Sequence, residues 1–207
     1  MIQFEKIGAV GKIILNRPDK YNSFVRTMAL ELQKKLDECS NDQTIRCILI
    51  TGSGKAFCAG GDIKSMFLSS KVLDLKKNFL FKEYTLNYAI SQFTKPYLSI
   101  WNGVVMGGGI GLSIYGNARL ATEKAKLAMP ETAIGFFPDV GGSYFLSRLS
   151  KGIGLYLALT GHVLNATGIL SLGLATHYQR SHRVSSIQQE YISNGSLPDT
   201  NQTPSEP

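Results

Sequence analysis

The 207-residue chain is 43% hydrophobic, which suits one globular domain, and it has no apolar run near the roughly 18 residues of a transmembrane helix. Its net charge of +7 comes from scattered basic residues without interleaved aromatic side chains, which argues against nucleic-acid binding and suits a mildly basic surface or basic side chains around an anionic ligand. The three cysteines form no CxxC pair and lie far from the histidines in sequence, which argues against a disulfide framework and against zinc.

The first part of the chain predicts two short strands within residues 2–15 and a helix over 26–39, where apolar residues recur at helical spacing. Residues 47–51 form a continuous apolar run, which is typical of a strand covered on both faces. A glycine-rich loop over 52–62 follows and leads into a helix.

The same order of elements then recurs. A long amphipathic helix is predicted over 71–93, a strand over 97–101 and a second glycine-rich loop over 107–111 that opens another helix. A short strand at 118–121 precedes an irregular loop over 130–142, and helices follow near 143–149, 153–160 and 167–172. Because strand, glycine loop and helix occur twice in this order, we predict an α/β fold.

Composition divides the chain near residue 178. Residues 1–178 are predicted to form one folded core. Residues 179–207 are rich in Ser, Gln, Asn, Thr and Pro, so we predict a polar, disordered tail with at most one short helix, near 184–193.

The two glycine loops do not match the nucleotide-binding loops they superficially resemble. Lys55 is followed by Ala56 rather than by Ser or Thr, and the loop at 107–111 lacks the third glycine of the dinucleotide fingerprint. Two backbone N–H groups at the starts of two helices could instead converge on one oxygen atom and form an oxyanion hole. The alternative is that these glycines only permit tight turns.

Two acidic residues stand in apolar surroundings. Glu131 and Asp139 lie eight residues apart in a segment rich in Phe, Ile and Val. Carboxyl groups held in such an environment have shifted pKa values and can divide acid and base roles between them. The alternative is a solvated loop, or acids that cap helices.

Three segments together resemble the crotonase superfamily. Residues 55–63 are similar to its first oxyanion loop and residues 102–109 to its second. Residues 129–142 resemble the 3-hydroxyisobutyryl-CoA hydrolase branch. The resemblance covers about residues 2–178, and it implies the crotonase-type (ClpP/crotonase) α/β spiral of strand-strand-helix units with covering helices.

The resemblance also implies roles for particular residues. The backbone N–H groups of Gly61 and Gly108 would hold the thioester oxygen. Glu131 and Asp139 are the candidate catalytic residues, the first as nucleophile or general base, the second orienting substrate or water and passing protons. Glu83 would contact the substrate, although a solvated Glu on a helix face is the alternative. No metal is implied, and no cofactor apart from the CoA that belongs to the substrate.

The implied activity is hydrolysis of 3-hydroxyisobutyryl-CoA in valine breakdown. Hydratases of the superfamily usually carry a second catalytic Glu where this chain has Gly111, and usually Gly where it has Asp139, so both positions favour hydrolysis. An enoyl-CoA hydratase or isomerase is one alternative. Members of the branch are longer, so a non-catalytic acyl-CoA binder or assembly partner produced by truncation is another.

The expected partner is therefore an acyl-CoA, with neither a nucleic acid nor a membrane, and association into a homo-oligomer stays open. A mitochondrial location is implied by the resemblance alone, because the residues after Met1 do not look like a presequence.

Overall fold

The computed structural model of the chain describes residues 1–68, 73–150 and 152–197. Nine strands within these ranges form two sheets. In chain order they are β1 (Ile2–Ile7), β2 (Val10–Leu15), β3 (Cys47–Gly52), β4 (Ala56–Cys58), β5 (Tyr97–Trp101), β6 (Val104–Met106), β7 (Ala118–Ala121), β8 (Lys126–Ala128) and β9 (His177–Tyr178).

The larger sheet has the order β1-β2-β3-β5-β7-β9, and the smaller has the order β4-β6-β8. Only the β1–β2 pair is antiparallel among these strands. All the other pairs are parallel, so the chain must cross over between them through helices and loops. This arrangement confirms the predicted α/β class.

Eight α-helices lie in the described ranges. They are α1 (Arg26–Asn41), α2 (Ile63–Leu68), α3 (Leu73–Ser91), α4 (Gly108–Gly111), α5 (Gly142–Leu146), α6 (Ile153–Thr160), α7 (Ala166–Ser171) and α8 (Val184–Asn194). The predicted start of the long helix at residues 71 and 72 lies outside the described residues. None of these helices combines the length and apolar character that crossing a membrane requires.

The sheet and α1 form the main core for reasons visible in the sequence. Helix α1 buries Met28, Leu32 and Leu36, which recur every four residues and so lie on one face. Strand β3 is buried along its whole apolar run because the main core covers one face of the sheet and a second apolar cluster covers the other. The prediction of a strand covered on both faces is confirmed.

The second cluster includes part of the predicted disordered tail. Helix α8 lies within it and buries Ile187 and Tyr191 against Leu49 and Leu98 of the sheet. The Tyr191 hydroxyl also donates a hydrogen bond to the backbone oxygen of Ile48, at 3.3 Å. The short helix predicted near 184–193 is therefore present. The prediction that residues 179–207 form a disordered tail is wrong for this helix, because Ile187 and Tyr191, four residues apart, are buried against the sheet. Residues 198–207 lie outside the described residues.

Candidate active site

The two glycine loops meet at one edge of the small sheet. Strands β4 and β6 are parallel neighbours, so the residues that follow them emerge side by side. A Cβ atom placed on Gly108 would lie 3.5 Å from the backbone nitrogen of Gly61. No oxygen atom in the described part of the chain accepts a hydrogen bond from either amide. Two unpaired N–H groups therefore lie close together.

Glu131 lies against the second glycine loop. It begins a 3-10 turn, Glu131–Ile134, just after β8, and its side chain is buried. A Cβ atom on Gly107 would lie only 2.6 Å from the Glu131 Oε1 atom, so the glycine is required for this approach. The Oε2 atom has no hydrogen-bond partner in the described structure. Burial, with a smaller contribution from the charge of Asp139, raises the pKa of Glu131 to about 7.

Glu83 reaches the same place from α3. Only 3% of this residue is exposed, which excludes the alternative of a solvated glutamate on a helix face. Its Oε1 atom occupies the space that a Cβ atom on Gly108 would need, and this oxygen has no hydrogen-bond partner among the described residues. Burial, and then the charges of Asp139 and Glu131, raise the pKa of Glu83 to about 8.

Asp139 is less buried than the two glutamates, and it has a hydrogen-bond donor. The hydroxyl of Tyr84 donates to Asp139 Oδ2 at 2.7 Å. Burial raises the pKa of Asp139, and the bond from Tyr84 opposes that rise. The next residue, Val140, has a φ of +43°, and the Tyr115 hydroxyl donates to its backbone oxygen at 3.3 Å. Neither tyrosine was identified from the sequence, where nothing distinguishes them from ordinary aromatic residues.

One cavity of about 310 Å³ is lined by all five residues that the sequence singled out: Gly61, Glu83, Gly108, Glu131 and Asp139. Most of the remaining lining is apolar, with Phe67, Phe79, Leu80 and Phe136 among it. Asp139 also lines a second cavity of about 760 Å³ on its other side. No cluster of side chains suited to holding a metal ion is found in the described residues.

Three carboxyl groups in so small a cavity cannot all be ionised at low energetic cost. Burial raises the pKa of all three groups. In addition, the charges of Asp139 and Glu131 raise the pKa of Glu83, and the charge of Asp139 raises that of Glu131. Neutral pH is therefore close to the raised pKa values of Glu131, about 7, and Glu83, about 8. Such a set can accept a proton in one step and return it in another, next to two N–H groups that can stabilise a negative oxygen.

The structure also explains the absence of a side chain at residue 111. A Cβ atom on Gly111 would lie 2.6 Å from the Cβ atom of Val140 and 2.8 Å from Asn87 Nδ2. A glutamate at this position would therefore not fit without displacing its neighbours.

The fold is that of the crotonase superfamily, and the chain belongs to the enoyl-CoA hydratase/isomerase family, whose sequence profile matches residues 10–204. A carnitinyl-CoA dehydratase from Mycobacterium thermoresistibile has the same fold, with a TM-score of 0.91 and 37% identity over 97% of this chain and 62% of its own. These findings confirm the resemblance to the superfamily.

Within the family, the chain is similar to proteins named "3-hydroxyisobutyryl-CoA hydrolase, mitochondrial". The one from Danio rerio is 44% identical over 193 residues, which are 92% of this chain and 50% of that protein. The one from Xenopus laevis is 46% identical over 189 residues, 90% of this chain and 49% of that protein. The chain thus spans about half the length of the curated relatives it matches.

Proposed function

We propose that this chain hydrolyses the thioester of 3-hydroxyisobutyryl-CoA to 3-hydroxyisobutyrate and CoA, a step of valine catabolism. The observation that carries the proposal is the meeting of two unpaired amides, those of Gly61 and Gly108, with the carboxyl groups of Glu83, Glu131 and Asp139 in one cavity. The names of the similar hydrolases support the choice of substrate.

In the proposed reaction the thioester oxygen accepts hydrogen bonds from the Gly61 and Gly108 amides. The carbonyl oxygen becomes negative when the carbon is attacked, so donors fixed in advance lower the barrier, and losing one typically costs about 10²–10³ in rate. No reorganisation of these amides is needed, because they belong to backbone that the small sheet positions.

Glu131 acts as the general base or as the nucleophile. A carboxyl group with a pKa near 7 exchanges protons efficiently at neutral pH. In the water route, Glu131 takes a proton from water, the resulting hydroxide adds to the carbonyl carbon, and the C–S bond breaks. The proton then passes from Glu131 to the departing sulfur. Asp139 accepts a hydrogen bond from that water and orients it.

Attack by Glu131 itself would instead form an acyl-enzyme anhydride that water hydrolyses. A single turnover in ¹⁸O-labelled water tests for the anhydride, because label enters the Glu131 carboxyl group only when water attacks the Glu131 carbonyl carbon of that intermediate.

Glu83 binds the substrate hydroxyl in this proposal. Its carboxyl group is protonated at neutral pH, since its pKa is raised to about 8, so it can both donate and accept a hydrogen bond. Glu83 Oε1 and Glu131 Oε2 have no hydrogen-bond partner among the described residues. In this proposal the first gains the substrate hydroxyl and the second the attacking water when substrate binds.

The test is release of free thiol from 3-hydroxyisobutyryl-CoA by the purified chain, with Glu131→Gln beside it. Because acid–base catalysis contributes about 10²–10⁴, the variant is expected to lose at least about 10² in kcat. Glu5→Gln makes the same chemical change on the exposed part of β1 and should match the wild type. A Glu131→Gln enzyme within tenfold of wild type would reject the assignment. Hydration of crotonyl-CoA without thiol release would identify a hydratase instead.

A non-catalytic acyl-CoA binder or assembly partner is the second candidate. Large apolar side chains are exposed close to the cavity, with Phe67 at 72% and Phe137 at 61%, and such surface commonly belongs to an interface. A folded chain that binds acyl-CoA without releasing thiol would favour this candidate.

A mitochondrial location is proposed together with the hydrolase function, from the names of the relatives, and fractionation of cells that express the chain tests it.

A further inference from the structure

Tyr84, whose hydroxyl donates a hydrogen bond to Asp139, follows Glu83 directly on α3. Consecutive residues of a helix point about 100° apart, so Glu83 and Tyr84 face different spaces. Glu83 lines the smaller cavity with the two amides, and Tyr84 lines the larger one. Asp139 lines both cavities. The hydrogen bond of 2.7 Å from the Tyr84 hydroxyl to Asp139 Oδ2 therefore lies where the two cavities adjoin.

The backbone next to Asp139 is under strain and needs support. Val140 has a φ of +43°, a region that β-branched residues avoid. Tyr115 supports this turn through the Val140 backbone oxygen, whereas Tyr84 contacts the Asp139 carboxyl group itself. Two tyrosine hydroxyls from different parts of the chain thus hold one short segment, and only one of them touches the charged group.

We propose that Tyr84 is a positioning residue, whose hydroxyl holds the Asp139 carboxylate in the orientation that the hydrolysis uses. A donated hydrogen bond also favours the charged form of a carboxyl group. The titratable groups that face Asp139 in the described structure are Glu83 and Tyr84 on α3 and Glu131 on the 3-10 turn. An ionised glutamate would repel the Asp139 carboxylate, whereas the Tyr84 hydroxyl donates a hydrogen bond to it. Tyr84 is therefore the group among the three that stabilises the Asp139 carboxylate.

A measurement that needs no turnover tests the contact. The chain is labelled with ¹³C at aspartate carboxyl groups, and the signal of Asp139 is identified by its loss in Asp139→Asn. In Tyr84→Phe the titration midpoint of Asp139 should lie about one pH unit above that of wild type. Tyr88→Phe is the matched control, because Tyr88 lies one turn later on α3, is 69% exposed and lines the same larger cavity. An unchanged Asp139 midpoint in Tyr84→Phe overturns the proposal.

The kinetic test rests on the proposed hydrolase function. Tyr84→Phe should lower kcat by about tenfold at neutral pH, leave KM within about twofold, and move the acid limb of the pH–rate profile upward. Tyr88→Phe should leave all three unchanged. If the Asp139 midpoint moves in an active enzyme while kcat and the pH profile stay at wild-type values, the positioning role is rejected. If the midpoint moves but wild type releases no thiol, the hydrolase proposal fails while Tyr84 remains the group that holds Asp139. Equal circular-dichroism spectra establish that each variant is folded.

Discussion

Replacing Glu83 by Gln should make the folded chain more stable at neutral and alkaline pH. The carboxyl group of Glu83 is almost fully buried, and one of its oxygens has no partner in the described structure. Its pKa is about 8 in the folded chain, against 4.5 for an unperturbed glutamate. Ionisation is thus easy in the unfolded chain and costly in the folded one.

The direction of the pH effect follows from these two pKa values. A pKa that is raised by folding gives a contribution to stability that is complete below about pH 4.5 and is lost as the pH rises to about 8. Each unit of pKa difference is worth about 1.4 kcal/mol, so the loss reaches on the order of 4 kcal/mol at pH 8. Glu131, whose pKa is raised to about 7, adds to the loss in the same direction. Gln has nearly the shape of Glu and does not ionise, so the Glu83→Gln variant avoids the loss of stability that comes from ionising Glu83.

Urea unfolding of wild type and Glu83→Gln at pH 5 and pH 8 measures the effect. We expect similar free energies of unfolding at pH 5 and a more stable variant at pH 8, with Glu5→Gln following the wild type at both. In a chain of this size each kcal/mol corresponds to about 2–4 °C in Tm, so thermal melts should show the difference. A variant that is no more stable than wild type at pH 8 refutes the reasoning. The gain in stability should come with a rise in KM, because the proposed contact to the substrate hydroxyl changes.

Three further outcomes are expected. Gly108→Ala should lower kcat by about 10²–10³ in the thiol-release assay, because its methyl group would collide with the Glu83 carboxyl group and intrude on the oxyanion site. In the wild type, kcat/KM should rise by at least about tenfold per pH unit on the acid side and level off above about pH 7, as Asp139 and Glu131 ionise; a profile flat from pH 5 to 8 would contradict the role of Glu131 as base. Ile187→Ala should lower the free energy of unfolding in urea by about 2–5 kcal/mol, because the Ile187 side chain is fully buried against the sheet. A change below about 0.5 kcal/mol, which is typical of surface positions, would show that α8 is not part of the folded unit.

The glycine loops and the two acids of residues 129–142 could be recognised because their chemistry is local. A glycine pair before a helix and a carboxyl group among apolar residues are visible in a short stretch of sequence. The contact between Tyr84 and Asp139 spans 55 positions, and nothing in the pattern of α3 shows which of its aromatic residues faces the loop. For the same reason the sequence did not show that the short helix predicted near 184–193 packs against the sheet: its composition is polar, and the apolar sheet face it covers is formed by distant residues.

The small sheet was also missed as a sheet. Its strands β4, β6 and β8 have three residues each, too few for an alternating pattern to emerge from the sequence. The parallel pairing of β4 and β6 nevertheless brings the two glycine loops to one edge of this sheet. Their role as an oxyanion hole stays a prediction.

Gly111 and Asp139, the two positions on which the prediction of hydrolysis rather than hydration rests, are linked by packing. Val140 follows Asp139, and its backbone at a φ of +43° places its Cβ atom where a side chain at residue 111 would have to begin. The Asp139 turn and a glutamate at residue 111 therefore compete for the same space, with Asn87 confining it from α3. A carboxyl group can be supplied from the loop or from α4, but not from both with this backbone. Converting the site to the two-glutamate arrangement would thus require a change at Val140 together with Gly111→Glu, because the single substitution would displace the turn that carries Asp139.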